Sequence, residues 1–213
     1  FVIFRENTEG LYVGMGGHFK KGTIDEIAIN EMVNTRRGVE RIIRAAFEWA
    51  TQNGKKRVCM SDKANVLSYA HGLWQRVFKS VSHEYPNIQS RHLYADVMAM
   101  EMVRAPEDFD VIVTSNMFGD ILSDLGAELV GGLGLAASAN LHPGQVSLFE
   151  PVHGSAPDIA GQNIANPLAM VLTGSLMLNA LGHSAAARFL DDQVEFLLGN
   201  GDVTADLRRA LGH

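Results

Sequence analysis

The strongest constraint in this chain is an alternation. Short apolar runs of strand length recur, and each is followed by a longer segment of helical period. Phe1 to Phe4, Arg57 to Met60, Ile88 to Tyr94 and Asp110 to Thr114 read as strands. Thr35 to Gln52 carries Val39, Ile42, Ile43, Ala46 and Phe47 at helical spacing, and Gly54 ends that helix. Further helices are predicted over Ser68 to Tyr85, stopped before Pro86, over Val97 to Val103, stopped before Pro106, and over Asn116 to Val130. Strands alternating with helices argue an α/β fold. Leu11 to Val33 breaks the pattern: Ile27 and Ile29 alternate with polar neighbours, which suggests a hairpin or arm. Gly131 to Ala137 is glycine-rich and reads as a domain boundary. Beyond it a strand over Val146 to Phe149 is expected, with helices near Ser155 to Ala160, Pro167 to Leu181 and Ser184 to Leu198.

Bulk properties exclude several classes. With 213 residues, 46% of them hydrophobic, the chain can build a real core. A net charge of −6 argues against a general nucleic-acid or membrane-surface role. The single cysteine, Cys59, allows no internal disulfide and fits a reducing, cytoplasmic compartment. Flanked by Val58 and Met60, it reads as a buried thiol and not as a nucleophile. No signal peptide and no membrane-length apolar run is present. The chain opens directly on a strand, without an initiator Met, as a piece cut from something longer would.

Several residue groups can carry chemistry. Asp120 and Asp124 are four apart, so on a helix they share one face. Like charges so placed repel, and a hard divalent cation reverses that cost. The plain alternative is a solvated acidic face with one carboxylate capping a helix. Asp96 follows a strand and can supply a third oxygen or simply cap the next helix. Lys63, also just past a strand, can act as a base beside a cation or pair with Asp62 in a surface turn. Arg5 can clamp a carboxylate, and Tyr12 can donate a proton. Their ordinary readings are a surface ion pair and a half-buried aromatic. In Glu150 to Asp158, Ser155 and Asp158 have capping-box spacing, and a helix N-terminus there can approach phosphate or ribose oxygens. Asn166 before Pro167 repeats the logic as an N-cap. Gly132 to Ala137 matches G-x-G-x-x-A, but a helix precedes it where the dinucleotide fingerprint needs a strand.

Taken together, these segments resemble the β-decarboxylating dehydrogenases: the isocitrate, 3-isopropylmalate, homoisocitrate and tartrate/D-malate enzymes. The resemblance rests on RENTEGLY (5–12), SDKANVL (61–67), ADVMAM (95–100), SNMFGDILSDLG (115–126), FEPVHGSAPDIAG (149–161) and NIANP (163–167). It is collinear over almost the whole chain and weakens in the last dozen residues. It implies a two-domain α/β fold distinct from Rossmann. Residues 1–130 would form the smaller domain with dimer interface and arm, and 131–213 the C-terminal part of the larger domain, whose N-terminal portion would precede Phe1.

By resemblance, Asp96, Asp120 and Asp124 are ligands of Mg²⁺ or Mn²⁺. Lys63 is the base that takes the C2 hydroxyl proton, Tyr12 the acid that protonates the enol, and Arg5 a substrate-carboxylate ligand. Asn65 resembles the residue beside the nicotinamide. His153, Gly154, Ser155, Ala156, Asp158 and Asn166 resemble the dinucleotide site, with Asp158-Ile159 in the form that prefers NAD. Lys63 and Asp96 would enter the partner's site, so a complete site implies a homodimer. The activity implied is NAD-dependent, metal-dependent oxidative decarboxylation of a malate-type 2-hydroxy acid. SDKANVL and the Asp96 region favour 3-isopropylmalate. RENTEG with Thr35 to Gly38, and SANL (138–141), favour tartrate or D-malate, with isocitrate a further alternative. The rival from another class is a catalytically silent regulatory subunit, which Tyr12, Lys63 and the three aspartates argue against.

Overall fold

A computed structural model describes residues 1–210, with side chains through 208. The last three residues of the expected 131–213 segment lie outside the described residues. The chain divides into two compact units, one over Phe1–Ser123 and one from Asp124 on, the division falling within a single helix.

The first unit is built on a parallel sheet of β1 (Val2–Arg5), β4 (Arg57–Asp62), β5 (Gln89–Tyr94) and β6 (Val111–Thr114), in the order β1-β6-β4-β5. Between the strands run α1 (Arg36–Gln52), α2 (Ala70–Ser82) and α3 (Ala95–Arg104), and α4 (Asn116–Leu129) follows β6. Thr35 starts α1, its hydroxyl accepting the Gly38 N–H at 3.1 Å. At the other end Gly54, at φ 64°, donates to Thr51 and Lys55 donates to Ala50, which closes the helix in a Schellman turn. The expected periodicity is real: Val39, Ile43 and Phe47 bury against Trp74, Val77 and Phe78 of α2 and Val58, Met60, Val111 and Val113 of the sheet. On β4 and β5 packs α3, with Met98 and Met102 fully buried. Cys59 lies inside β4, where burial pushes its thiol up to about 11.

The strand ends are level. Arg5 pairs in register with Thr114, Thr114 with Ser61, and Ser61 with Leu93. The carboxyl edge of a parallel sheet is where α/β folds gather functional groups. Between β1 and α1 the expected arm is an antiparallel hairpin of β2 (Gly16–Phe19) and β3 (Ile27–Asn30), with Phe19, Ile27 and Ile29 exposed.

The second unit pairs β7 (Ala137–Asn140) with β8 (Leu148–Pro151) in a hairpin and packs it on α5 (Leu168–Ala180), which lies on α6 (Ser184–Gly199). Leu207 of α7 (Ala205–Ala210) joins Leu168 and Val194 in its small core. Two expectations fail here. No helix forms over Ser155 to Ala160; the segment is a series of turns. Ala156 sits at φ 41°, outside the right-handed region, so a helix cannot propagate through it. The expected strand at Val146 begins later, at Leu148, and its partner β7 emerges from the glycine-rich stretch read as a boundary.

Candidate active site

Two polar clusters stand on the carboxyl edge of the first unit's sheet. One lies over β1 and β6. Arg5 ends β1 and reaches α4, where Nη1 donates to Asp120 Oδ1 at 2.6 Å while Nε and Nη2 donate to Asn116 Oδ1 at 2.9 and 2.8 Å. Tyr12 donates its hydroxyl to the other Asp120 oxygen at 3.0 Å, and the Arg5 guanidinium lies 5.4 Å from its ring centre. Arg5, Tyr12 and Asp120 are thus brought together. The Asp120 carboxylate, by accepting the phenol hydrogen, raises the Tyr12 pKa, so the phenol keeps its proton near neutrality. Tyr12 is 56% exposed, more open than a half-buried aromatic.

Sequence reasoning missed two residues of this cluster. Asn116 accepts from Arg5 and donates to the Glu9 carbonyl at 2.8 Å, so it orients the guanidinium. Gly119 lets Arg5 cross the helix: a Cβ there would stand 2.5 Å from Arg5 Cγ. The signal was present, since both lie in SNMFGD beside the noticed aspartate. Glu6 and Glu9 also hold the loop. Glu6 is buried and accepts the Thr8 and Glu9 N–H groups, while Glu9 accepts the Thr35 N–H at 2.7 Å.

The second cluster lies over β4 and β5. Lys63 Nζ donates to Asp96 Oδ1 at 2.6 Å. That bond favours the ionised acid and holds the Asp96 carboxyl below its usual range. Asp96 is not a helix N-cap: α3 begins at Ala95, which puts Asp96 inside the first turn and its side chain toward Lys63. Nor does Asp62 form a surface pair with Lys63. It is buried, accepting the Ala64 N–H at 2.8 Å and facing His92 Nε2 at 3.0 Å. Asn65 sits on the exposed turn next to Lys63.

One chain does not unite the clusters. The strands bearing Arg5 and leading to Asp96 are at opposite edges of the sheet, three spacings or roughly 14 Å apart. Among the described residues no three His, Cys, Asp or Glu side chains converge on a metal position. The donor chemistry nevertheless fits a hard divalent ion. Asp120 and the exposed Asp124 are oxygen donors one turn apart on α4, and each Asp120 oxygen keeps a lone pair beyond the bond it accepts.

The coenzyme candidates lie in the second unit. Gly154, Ser155, Ala156 and Asp158 are exposed in the turns after β8, beside the partly exposed His153. The helix N-terminus expected to receive phosphate is not formed there. Pro167, expected at the first helical position, is the N-cap of α5; Asn166 stands just before it, its Oδ1 accepting the Leu168 N–H at 3.0 Å while its amide donates to Asp206 at 3.1 Å. Gly134 is pressed against this pair, with a Cβ there falling 2.6 Å from Asn166 Nδ2. Asp206, unnoticed in the sequence, lies in the stretch where the resemblance weakens.

The family model described as isocitrate/isopropylmalate dehydrogenase matches residues 1–212. A 3-isopropylmalate dehydrogenase of Thermobifida fusca is 52% identical over 91% of this chain and 55% of its own length. One from Streptomyces coelicolor is 46% identical over 100% of the chain and 62% of its own length. A crystal structure of isocitrate dehydrogenase from Methylococcus capsulatus superposes with a TM-score of 0.91 at 46% identity, covering 97% of this chain and 61% of that one. The chain therefore spans somewhat over half the length of the relatives it matches. Among the described residues no helix is long and apolar enough to cross a membrane.

Proposed function

The chain belongs to the isocitrate/isopropylmalate dehydrogenase family, and we propose that it contributes to the NAD-dependent, Mg²⁺- or Mn²⁺-dependent oxidative decarboxylation of a malate-type 2-hydroxy acid, 3-isopropylmalate first among them. The observation that carries the reading is the triangle of Arg5, Tyr12 and Asp120. It sets a carboxylate clamp, a protonated acid and a metal-type ligand at one strand end.

Arg5, oriented by Asn116, binds a substrate carboxylate. Lys63, held against Asp96, accepts the C2 hydroxyl proton as the neutral amine, after its ammonium has released a proton, while the C2 hydrogen leaves as hydride. Loss of the β-carboxylate as CO₂ leaves a carbon that must be protonated, and Tyr12, which retains its hydrogen, supplies the proton. Asp120 and Asp124, with Asp96 of a second copy, would hold Mg²⁺ or Mn²⁺, which would supply Lewis acidity toward the hydroxyl oxygen. Bound NAD supplies the hydride acceptor, against the 153–158 loop and Asn166.

Because the two clusters stand apart on one sheet, we read the working site as shared. Lys63 and Asp96 serve the site of a second copy, and the exposed hairpin of β2 and β3 supports such a homodimer. Metal, coenzyme, dimer and a cytoplasmic location all belong to this proposal.

The residues that favoured tartrate or D-malate have structural employment. Thr35 caps α1 and bonds Glu9, while Ser138 donates to the Glu150 carbonyl within the β7–β8 hairpin. The likeness to an isocitrate dehydrogenase keeps isocitrate as the second reading. Assaying the full-length protein with 3-isopropylmalate, isocitrate, tartrate and D-malate, each with NAD and NADP, tests the reading. NADH production with 3-isopropylmalate is expected, and Lys63→Met should lower turnover roughly 100-fold or more. No turnover of any acid would sink the proposal.

A further inference from the structure

The turn that carries Lys63 is held from below by a buried histidine. His71, on α2, is fully buried, and its Nδ1 accepts the Lys63 backbone N–H at 2.7 Å. An acceptor at Nδ1 requires the ring hydrogen to sit on Nε2 in the neutral ring. Burial lowers the His71 pKa, which keeps the ring neutral and the acceptor in place. Among the described residues Nε2 has no hydrogen-bond partner, and Phe118 meets the ring nearly edge-on with centres 5.5 Å apart. A core site of this kind would be filled more cheaply by an apolar residue, since an unpaired buried donor is costly. The histidine is explained by what it holds.

The rest of the turn is fixed as firmly. Asp62 Oδ1 accepts the Ala64 N–H, and the Lys63 carbonyl accepts from Val66 at 3.0 Å and Leu67 at 2.8 Å. Gln75, one turn beyond His71 on α2, reaches toward Asp62 and lies 3.3 Å from His92 Nε2. Lys63 is thus fixed at its N–H by His71, at its carbonyl by the following turn, and at its ammonium by Asp96.

We propose that His71 and Asp62 are positioning residues for Lys63: they set the backbone of the turn from Asp62 to Leu67 so that the ammonium, and the exposed Asn65 beside it, project from the sheet edge at a fixed place. This rests on the reading of Lys63 as the base. A misplacement of about 1 Å at a reacting group can cost on the order of 100-fold in rate.

Two variants separate position from stability. His71→Phe keeps bulk but removes the acceptor; His71→Asn restores an acceptor close to the place of Nδ1 but leaves a void. In the full-length protein, amide exchange of the Lys63 to Leu67 segment should be slow in the wild type and in His71→Asn. It should be about tenfold or more faster in His71→Phe. With the acid that the wild type turns over, His71→Phe should lower kcat roughly tenfold to 100-fold with both KM values within about twofold, and His71→Asn should recover much of kcat. Should His71→Phe not fold, Asp62→Leu, which removes the Ala64 acceptor, should open the same segment. Fast exchange of the segment in the wild type overturns the proposal. So does kcat that follows the melting temperature and ignores the acceptor, with His71→Asn no better than His71→Phe. If exchange behaves as expected while the wild type turns over no hydroxy acid, the positioning stands and the proposed function fails.

Discussion

Helices α1 and α5 are both long, yet they meet water in opposite ways. The apolar stripe of α1 is spent entirely inside the first unit, with Val39, Ile43 and Phe47 at zero exposure. By contrast α5 has no charged residue and is apolar on all sides, and it leaves Met170, Leu176 and Met177 exposed. A helix apolar all round is made for burial. The polar groups divide the same way. In the first unit the candidate acid and clamp already share Asp120 and the candidate base is bonded to Asp96, whereas most of the coenzyme candidates of the second sit in open turns. The first unit is preorganised, while the second leaves surface for other groups to cover.

The contrast is broken most directly by paired truncations in the 213-residue chain. Phe47 is buried, with Tyr85 stacked at 5.0 Å and Phe78 at 5.5 Å. Phe47→Ala should destabilise the first unit by about 3–5 kcal/mol in denaturant unfolding. Phe196→Ala, at a site 62% exposed on α6, should change stability by less than about 0.5 kcal/mol. Equal costs would mean that the second unit's core is as closed as the first.

Gly119→Ala sharpens the contrast at the site. The added methyl meets Arg5 Cγ and Cβ, so either the guanidinium leaves Asp120 and Asn116 or α4 shifts. Overpacking of this kind costs about 1–3 kcal/mol. In the full-length protein the KM for the hydroxy acid should rise roughly tenfold, because one charge-assisted carboxylate contact is displaced. Unchanged KM and stability would show that Arg5 has slack.

What the sequence made legible follows from the same division. The pattern located α1 and α2 because their apolar faces are buried within the first unit, where local pattern and tertiary burial agree. The Arg5, Tyr12 and Asp120 contacts were foreseeable because all three belong to motifs at strand ends. The helix expected over Ser155 to Ala160 failed because a capping signal at Ser155 and Asp158 was read without a helical period behind it, and Ala156 takes a left-handed φ. The β7 strand was hidden because its alternation, Ala137 and Ala139 against Ser138 and Asn140, rests on alanines, with no β-branched or aromatic residue to mark a strand. Asn116, Gly119 and His71 were missed for a different reason. Asn116 and Gly119 act on Arg5, over a hundred residues away in sequence, and only their place beside Asp120 pointed to the site; His71 acts on the backbone N–H of Lys63, eight residues back, a contact that its own residue type does not announce.

A smaller effect than those at Phe47 and Gly119 lies at the opposite end of the sheet from the candidate site. Asp110, just before β6, accepts the Lys56 and Arg57 backbone N–H groups and the Arg57 guanidinium at 3.0–3.2 Å. The Arg57 bond, with the backbone donors, holds its carboxyl down at about 2, against an ordinary value of 3.8. A carboxyl depressed by folding gives stability that is complete above the unfolded value and is lost as pH falls through the folded one. The first unit should therefore lose on the order of 1–2 kcal/mol between about pH 4 and pH 2 from this group alone. Asp110→Asn should remove that part of the slope, while retaining some of the N–H bonds through its amide oxygen. Urea unfolding followed by Trp fluorescence at several pH values reads it, because Trp49 and Trp74, the chain's two tryptophans, both belong to or pack on the first unit's core. If the second unit's transition, followed by amide exchange in α5, shows the same pH slope and the same response to Asp110→Asn, the two units unfold as one, and the contrast between them is one of surface and not of independent stability.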